Sequence, residues 1–268
     1  MGRKRKGNED ALFLDDDLKL YVVADGMGGH QAGEVASELV IETMQSYMTR
    51  FRAGYDVDEP ADSNGAFSKE ANRLLAGIYL ANKRVHQVSN SKDSYRGMGS
   101  TVSAVFFSGN TLFAANVGDS PVYLVHAGSI ELLSVPHTVL AEQAALSPDS
   151  AKNLGNSFKH MLTRAMGIEP TVTADICEIQ CFKGDTLIIC SDGLSDKLSS
   201  EEILDVTNNK NPEKACKILV DLANERGGDD NITVIVLKIK KVYNQNWIMS
   251  RLSKLMSLFK SRSRDAGV

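Results

Sequence analysis

"VVADGMGGH", residues Val22 to His30, decides how the rest of the chain is read. A β-branched pair leads into Asp25. Three glycines, Gly26, Gly28 and Gly29, then fall within four residues, and His30 follows. With the residues before it, "LKLYVVAD" reads as a buried strand that ends at Asp25. Glycine after the strand lets the backbone turn sharply and clears space for close approach. The chain then enters a helix near Gly33, where "GEVASELVIETMQSYMTR" carries Val35, Leu39, Thr43 and Tyr47 at helical spacing. A carboxylate at a buried strand end is costly unless it is paired or holds a cation.

Working outward, "FRAGYDVDEPADSNG" is a polar loop and "KEANRLLAGIYLANKRVHQV" a second long helix, apolar at Leu74, Leu75, Ile78 and Val85. The period then changes. "STVSAVFF", an "SGN" turn and "TLFAANV" form one hairpin, and "PVYLVHAGSIELLS" a second with its turn at Ala127-Gly128. Residues 137–168 are irregular apart from a helical piece at "TVLAEQAAL". Strands "TVTADICEI" and "DTLIICSD", helices "SSEEILDVT" and "PEKACKILVDLANERG", and a last strand "NITVIVLKI" complete the pattern. Helix pairs set among antiparallel strands predict an α+β fold, with sheets packed on each other and helices outside. The one break in composition falls near Val242, so residues 1–241 read as one domain and 242–268 as a tail.

The 268 residues are 43% hydrophobic and 24% charged, ordinary values for a chain able to bury a sizeable core. The formal net charge of -4 gives no basis for nucleic-acid binding. The tail holds five basic residues against Asp265, a balance of +4, which leaves -8 on the body. Such asymmetry suits a cation-binding body and either an anionic partner for the tail or simple solvation of it. Cys177, Cys181, Cys190 and Cys216 form neither paired zinc spacing nor a disulfide framework, which fits a reducing, cytoplasmic compartment. The basic N-terminus lacks the apolar core of a signal peptide, and no run is long enough to span a bilayer.

Asp25 is one of several acids beside glycine at strand boundaries. "GNED" places Glu9 and Asp10 before "ALFL". "VGDS" places Asp119 after "LFAANV", "CSDGL" places Asp192 after "DTLII", and "GGDDN" places Asp229 and Asp230 before "ITVIVL". Taken singly, each pair reads as a turn. Repeated along the chain, the pairs converge if their strands share a sheet edge. The resulting oxygen-rich cluster suits Mg²⁺ or Mn²⁺.

In order, "RKGNEDA", "VVADGMGGHQAGEVAS", "GMGSTVSAV", "ANVGDSPVYL", "LTRAMG", "CSDGLSD" and "GGDDNITVIVL" resemble the type 2C, metal-dependent protein serine/threonine phosphatases, in their bacterial branch. The resemblance runs from about Arg5 to Ile239. It implies a central antiparallel β-sandwich flanked on both sides by helices. It also implies that Asp25 bridges two Mn²⁺ or Mg²⁺ ions and that Gly26 offers its carbonyl. By the same resemblance Asp192 and Asp230 are expected to complete the direct ligands, Glu9 to serve the second ion, Asp119 to serve a third, looser one, and Arg5 to grip the substrate phosphate. The implied reaction is hydrolysis of phosphoserine and phosphothreonine on proteins by a metal-bridged hydroxide, reversing a serine/threonine kinase. For the acid that protonates the leaving group, His30 and a metal-bound water both stay open.

Two positions depart from the pattern. Pro121 stands where bacterial relatives carry Arg after Gly-Asp-Ser, and Pro136 stands where they carry Asp before His-Ser or His-Thr. Both put the third ion and the substrate preference in question, and both motivate an alternative, a non-catalytic phosphoprotein-binding pseudophosphatase. A phosphatase of the same fold in a partner-switching pathway is a further alternative. Only four residues precede Arg5, so the family's first strand is expected to be truncated and the phosphate grip loosened. In the tail, Ile248, Leu252, Leu255, Met256 and Phe259 fall at helical spacing with Arg251 and Lys254 between them. Residues 246–260 thus read as a basic amphipathic helix for an anionic membrane surface, a partner or the domain itself. A monomer is expected.

Overall fold

The computed structural model describes residues 1–28, 31–54, 67–151 and 158–242. The chain runs β1 (Asp10–Asp15), β2 (Leu20–Met27), α1 (Ala32–Arg52), α2 (Lys69–Ser89), β3 (Gly99–Ser100), β4 (Val102–Ser108), β5 (Thr111–Val117), β6 (Val122–His126), β7 (Ser129–Leu132), α3 (Val139–Leu146), α4 (Pro148–Ala151), β8 (Asp175–Gln180), β9 (Thr186–Cys190), α5 (Asp192–Ser195), α6 (Ser200–Asn209), α7 (Pro212–Glu225) and β10 (Val234–Lys238). One sheet has the order β1-β2-β4-β5-β8, with β3 paired to the end of β2. The other has the order β10-β9-β6-β7. Every pairing in both is antiparallel.

Side chains alternate across each strand, and this alternation builds the layers. From β2, Tyr21 and Val23 face the second sheet, while Leu20, Val22 and Ala24 face the helices. From β9, Leu187 and Ile189 meet the first sheet, and Ile188 and Cys190 meet α6 and α7. Both central strands are therefore buried on two faces, which is why they read as unbroken apolar runs. Three cores result. One lies between α1, α2 and the first sheet, one between the sheets, and one between the second sheet and α5 to α7. This is the helix-flanked β-sandwich that the sequence predicts.

Local chemistry sets the ends. Ser199 and Glu202 close a capping box on α6, and Asn211 caps α7 ahead of Pro212. Ala127 and Gly128 both take positive φ, 49° and 85°, the backbone of a tight two-residue hairpin. Some boundaries move. β2 continues two residues past Asp25, because Gly26 and Met27 pair with β3. The buried stripe of α1 is centred on Ala36, Val40, Met44 and Met48, one residue on from the predicted Val35 and Leu39, which pack at its edge. The strand predicted from Thr171 begins only at Asp175, and the one-turn α5 was not predicted as an element. All four cysteines are free, and Cys190 is buried.

Candidate metal centre

Glu9, Asp25, Gly26, Asp119, Asp192, Asp230 and Arg5 all line one cleft of about 1160 Å³ at an edge of the sandwich. β2 carries Asp25 there. The Asp25 N–H donates to Thr101 Oγ1 at 3.0 Å, and its carbonyl accepts from Thr101 N–H at 2.8 Å and Ser100 Oγ at 3.0 Å. The backbone on either side of the carboxylate is thus fixed. Gly26 follows because nothing larger fits: a Cβ there would overlap the Gly33 carbonyl at the start of α1. Its N–H donates to the Glu9 carbonyl at 3.0 Å, so β1, β2 and α1 meet at this point.

Asp192 opens α5 at the end of β9, and its neighbour Gly193 lies so close to Asn231 that a Cβ would overlap the Asn231 carbonyl. Asn231 is the staple of the region. It accepts the Glu9 N–H at 2.8 Å and donates to the Gly7 carbonyl at 3.0 Å, tying the N-terminal segment to the strand that follows Asp230. The first strand among the described residues is β1, from Asp10. The segment before it is not loose: the N–H groups of Arg3 and Lys4 both donate to the Gly228 carbonyl, at 2.8 and 3.1 Å. Lys4 also pairs with Asp229. Arg5 Nη2 then lies 2.7 Å from Asp230 Oδ2, with Nη1 3.9 Å from Glu9.

Burial, more than any pair, governs the charges here. Desolvation followed by Asp10, Asp192, Asp230 and Asp119 pushes Asp25 well above the usual carboxylate range. Burial and then Asp192 raise Asp119 to about 7, and burial, Asp196 and Asp230 raise Asp192 to about 6. Asp10, 7% exposed, is raised mainly by desolvation; Ser191 Oγ donates to its Oδ2 at 2.8 Å while its Oδ1 has no partner. Asp192 Oδ1 is likewise buried and unpartnered. Among the described residues, no lysine or arginine pairs with Asp25, Asp119 or Asp192. Crowded, desolvated carboxylates with unpartnered oxygens are the donor set that a hard divalent cation neutralises.

The sequence did not single out His160 or Asp196. His160 Nδ1 lies 3.7 Å from Asp192 and 3.3 Å from Asp196. Asp119, His160 and Asp192 each offer one ligand atom, all within 4.8 Å of one another. His160 sits in the irregular stretch where no strand end or periodic pattern draws attention to it. Asp10 stood in "GNED" without a role, and only the fold shows that its carboxylate is buried. His30 lies outside the described residues, as does the whole of 246–260.

The family model described as Protein phosphatase 2C matches residues 3–222. The chain is 32% identical over 244 residues to the serine/threonine protein phosphatase PstP of Mycobacterium tuberculosis, covering 89% of this chain but only 43% of that longer protein. It is 32% identical over 245 residues to the serine/threonine phosphatase stp of Listeria welshimeri, covering 88% of this chain and 92% of stp. A crystal structure of the catalytic domain of PstP in complex with two manganese ions superposes with a TM-score of 0.74 at 30% identity, over 90% of this chain and 95% of that one. The chain belongs to the protein phosphatase 2C family of serine/threonine phosphatases.

Proposed function

We propose that this protein hydrolyses phosphoserine and phosphothreonine esters on proteins at a centre for two Mn²⁺ or Mg²⁺ ions. The observation that carries the reading is the convergence of Asp25, Asp119 and Asp192, desolvated and without a lysine or arginine partner among the described residues, in a cleft with Arg5 at its side. Asp25, the Gly26 carbonyl, Asp192, Asp230 and Glu9 would hold the two ions, and Asp119 would serve a third. Bound there, divalent ions supply Lewis acidity, activating a water near neutral pH and neutralising charge on the phosphoryl oxygens. Arg5 binds the phosphate through its planar fork of donors. Its pairing with Asp230 raises its pKa, so the fork stays charged, and its side chain is 48% exposed and open to a ligand. Thr101 and Ser100 hold the Asp25 backbone so that its carboxylate keeps one aim.

The pseudophosphatase alternative finds no support at its motivating residues. Pro121 stands just before β6, where its carbonyl accepts the Cys190 N–H at 3.1 Å, and neither Pro121 nor Pro136 lines the cleft. Phosphate release from a phosphothreonine peptide, stimulated by Mn²⁺ and abolished in Asp192→Asn, is the expected result. Peptide binding without turnover under any metal would return the pseudophosphatase.

The finer reading follows the sequence. Residues 1–241 act as the catalytic domain, in the cytoplasm and as a monomer, against the products of a serine/threonine kinase. Residues 246–260 serve as a contact segment for an anionic membrane surface, a partner or the domain's own body, and the membrane surface is tested first. No helix among the described residues is long and apolar enough to cross a membrane; contact at the surface is proposed because Arg251 and Lys254 lie among the apolar residues of 246–260. Full-length protein should sediment with vesicles containing phosphatidylserine and a 1–242 truncation should not. Equal sedimentation of both would remove the membrane role.

A further inference from the structure

His137 lies outside the acidic centre, and the catalytic reading leaves it without a task. It is 1% exposed, yet both its backbone and both its ring nitrogens make directed contacts. Its backbone N–H donates to the Gly118 carbonyl at 3.0 Å, and its ring Nδ1 accepts the Gly118 N–H, also at 3.0 Å. Gly118 is therefore gripped on both sides by one residue. It has a positive φ of 99°, and it is the residue immediately before Asp119. Because Nδ1 accepts, the ring proton sits on Nε2, which donates to Asp175 Oδ2 at 2.6 Å. Arg164 Nη1, on the cleft wall, donates to the same oxygen at 2.8 Å.

The same residue also anchors the segment that follows it. The His137 carbonyl accepts Thr163 N–H at 2.9 Å, and Val139 N–H donates to the Met161 carbonyl at 2.9 Å. These bonds close the base of the 137–163 excursion. Asn116 adds a parallel support, accepting Val135 N–H at 3.1 Å and donating to the Val135 carbonyl at 2.7 Å.

We propose that His137 is a positioning residue for the acidic centre: its ring fixes the Gly118–Asp119 turn, and so the aim of the Asp119 carboxylate, and couples that aim to Arg164 through Asp175. The proposal rests on the metal-centre reading above. Two ring atoms do two separable things, and this makes it testable. Asparagine puts an oxygen acceptor where Nδ1 stands, keeping the Gly118 contact and losing Asp175. Glutamine reaches Asp175 with its amide and loses the Gly118 contact. Leucine loses both.

The test compares wild type with His137→Asn, His137→Gln and His137→Leu in the full chain. Mn²⁺ binding is followed by calorimetry, turnover of a phosphothreonine peptide by steady-state kinetics, and folding by thermal melting. Loss of an outer support of a metal ligand typically costs about 10–100-fold in metal affinity or activity. His137→Gln and His137→Leu should therefore weaken the loosest Mn²⁺ site and lower kcat by about tenfold or more. KM for the peptide should hold, because Asp119 is reserved for an ion and not for the substrate. His137→Asn should stay within about threefold of wild type in both readouts, since the Gly118 bond is retained. Wild-type behaviour of His137→Gln would overturn the proposal, and so would equal impairment of the Asn and Gln variants in step with their melting temperatures. If the leucine variant fails to fold, the Asn and Gln pair carries the comparison. Should wild type bind Mn²⁺ but not turn over, the phosphatase reading fails alone and the order of Mn²⁺ affinities judges His137. Should it bind none, both fail.

Discussion

Asp119 shows how a single residue carries the tension of this site. Burial and Asp192 hold its pKa near 7, far above the ordinary 3.8, so the metal-free fold binds a proton there that the unfolded chain has already released. Its contribution is therefore fully present below about pH 3.8 and is lost as pH rises toward 7. Asp119→Asn removes that loss. In chelator, the variant should melt above wild type at pH 7.5, by roughly 1–3 kcal/mol in stability, and the gap should close toward pH 4. Added Mn²⁺ should reverse the order at pH 7.5, because only wild type offers the full donor set. A gap that does not change with pH would mean that the carboxylate is not desolvated as described. Gly26 gives a second residue-scale test. A Cβ there would overlap the Gly33 carbonyl, so Gly26→Ala should cost about 1–3 kcal/mol in chemical denaturation and displace Asp25 beside it.

At the scale of elements, hydrophobic period explains what was legible. α2 announces itself by a repeat near 3.6 and the buried strands by short unbroken apolar runs, and turn residues such as Ala127-Gly128 mark where a run ends. The acidic residues were legible for the same reason, since each follows or precedes such a strand. What periodicity does not encode is contact between elements that are distant in sequence. Asn82 on α2 is wholly buried. It accepts Gly167 N–H at 2.7 Å and donates to the Glu169 carbonyl at 3.0 Å, pinning a loop whose Ile168 and Glu169 line the cleft. On the helix it looks like one polar residue among many. His160 and the His137 network are hidden similarly, in the stretch with least regularity. Asn82→Leu leaves the two loop groups unpaired and should cost about 1–3 kcal/mol of stability. It should also raise KM for a phosphopeptide more than it lowers kcat, and an unchanged KM would detach this loop from substrate binding.

Across the whole molecule, the two sheets and their helix layers exist as a rigid frame for one edge. β2 delivers Asp25, the turn after β5 delivers Asp119, α5 at the end of β9 delivers Asp192, and the approach to β10 delivers Asp230. Four carboxylates from both sheets meet, three of them without a lysine or arginine partner among the described residues, an arrangement that self-repels until a cation enters. On the function proposed above, this frame serves divalent ions that act on a phosphate ester. That function is tested most directly by phosphate release from a phosphothreonine peptide, comparing wild type and Asp25→Ala in Mn²⁺, in Mg²⁺ and in chelator. Wild type should release phosphate only with metal, and an Asp25→Ala variant with an unchanged melting profile should lose about 10³-fold or more. Metal-independent release, or undiminished turnover in the variant, would contradict it.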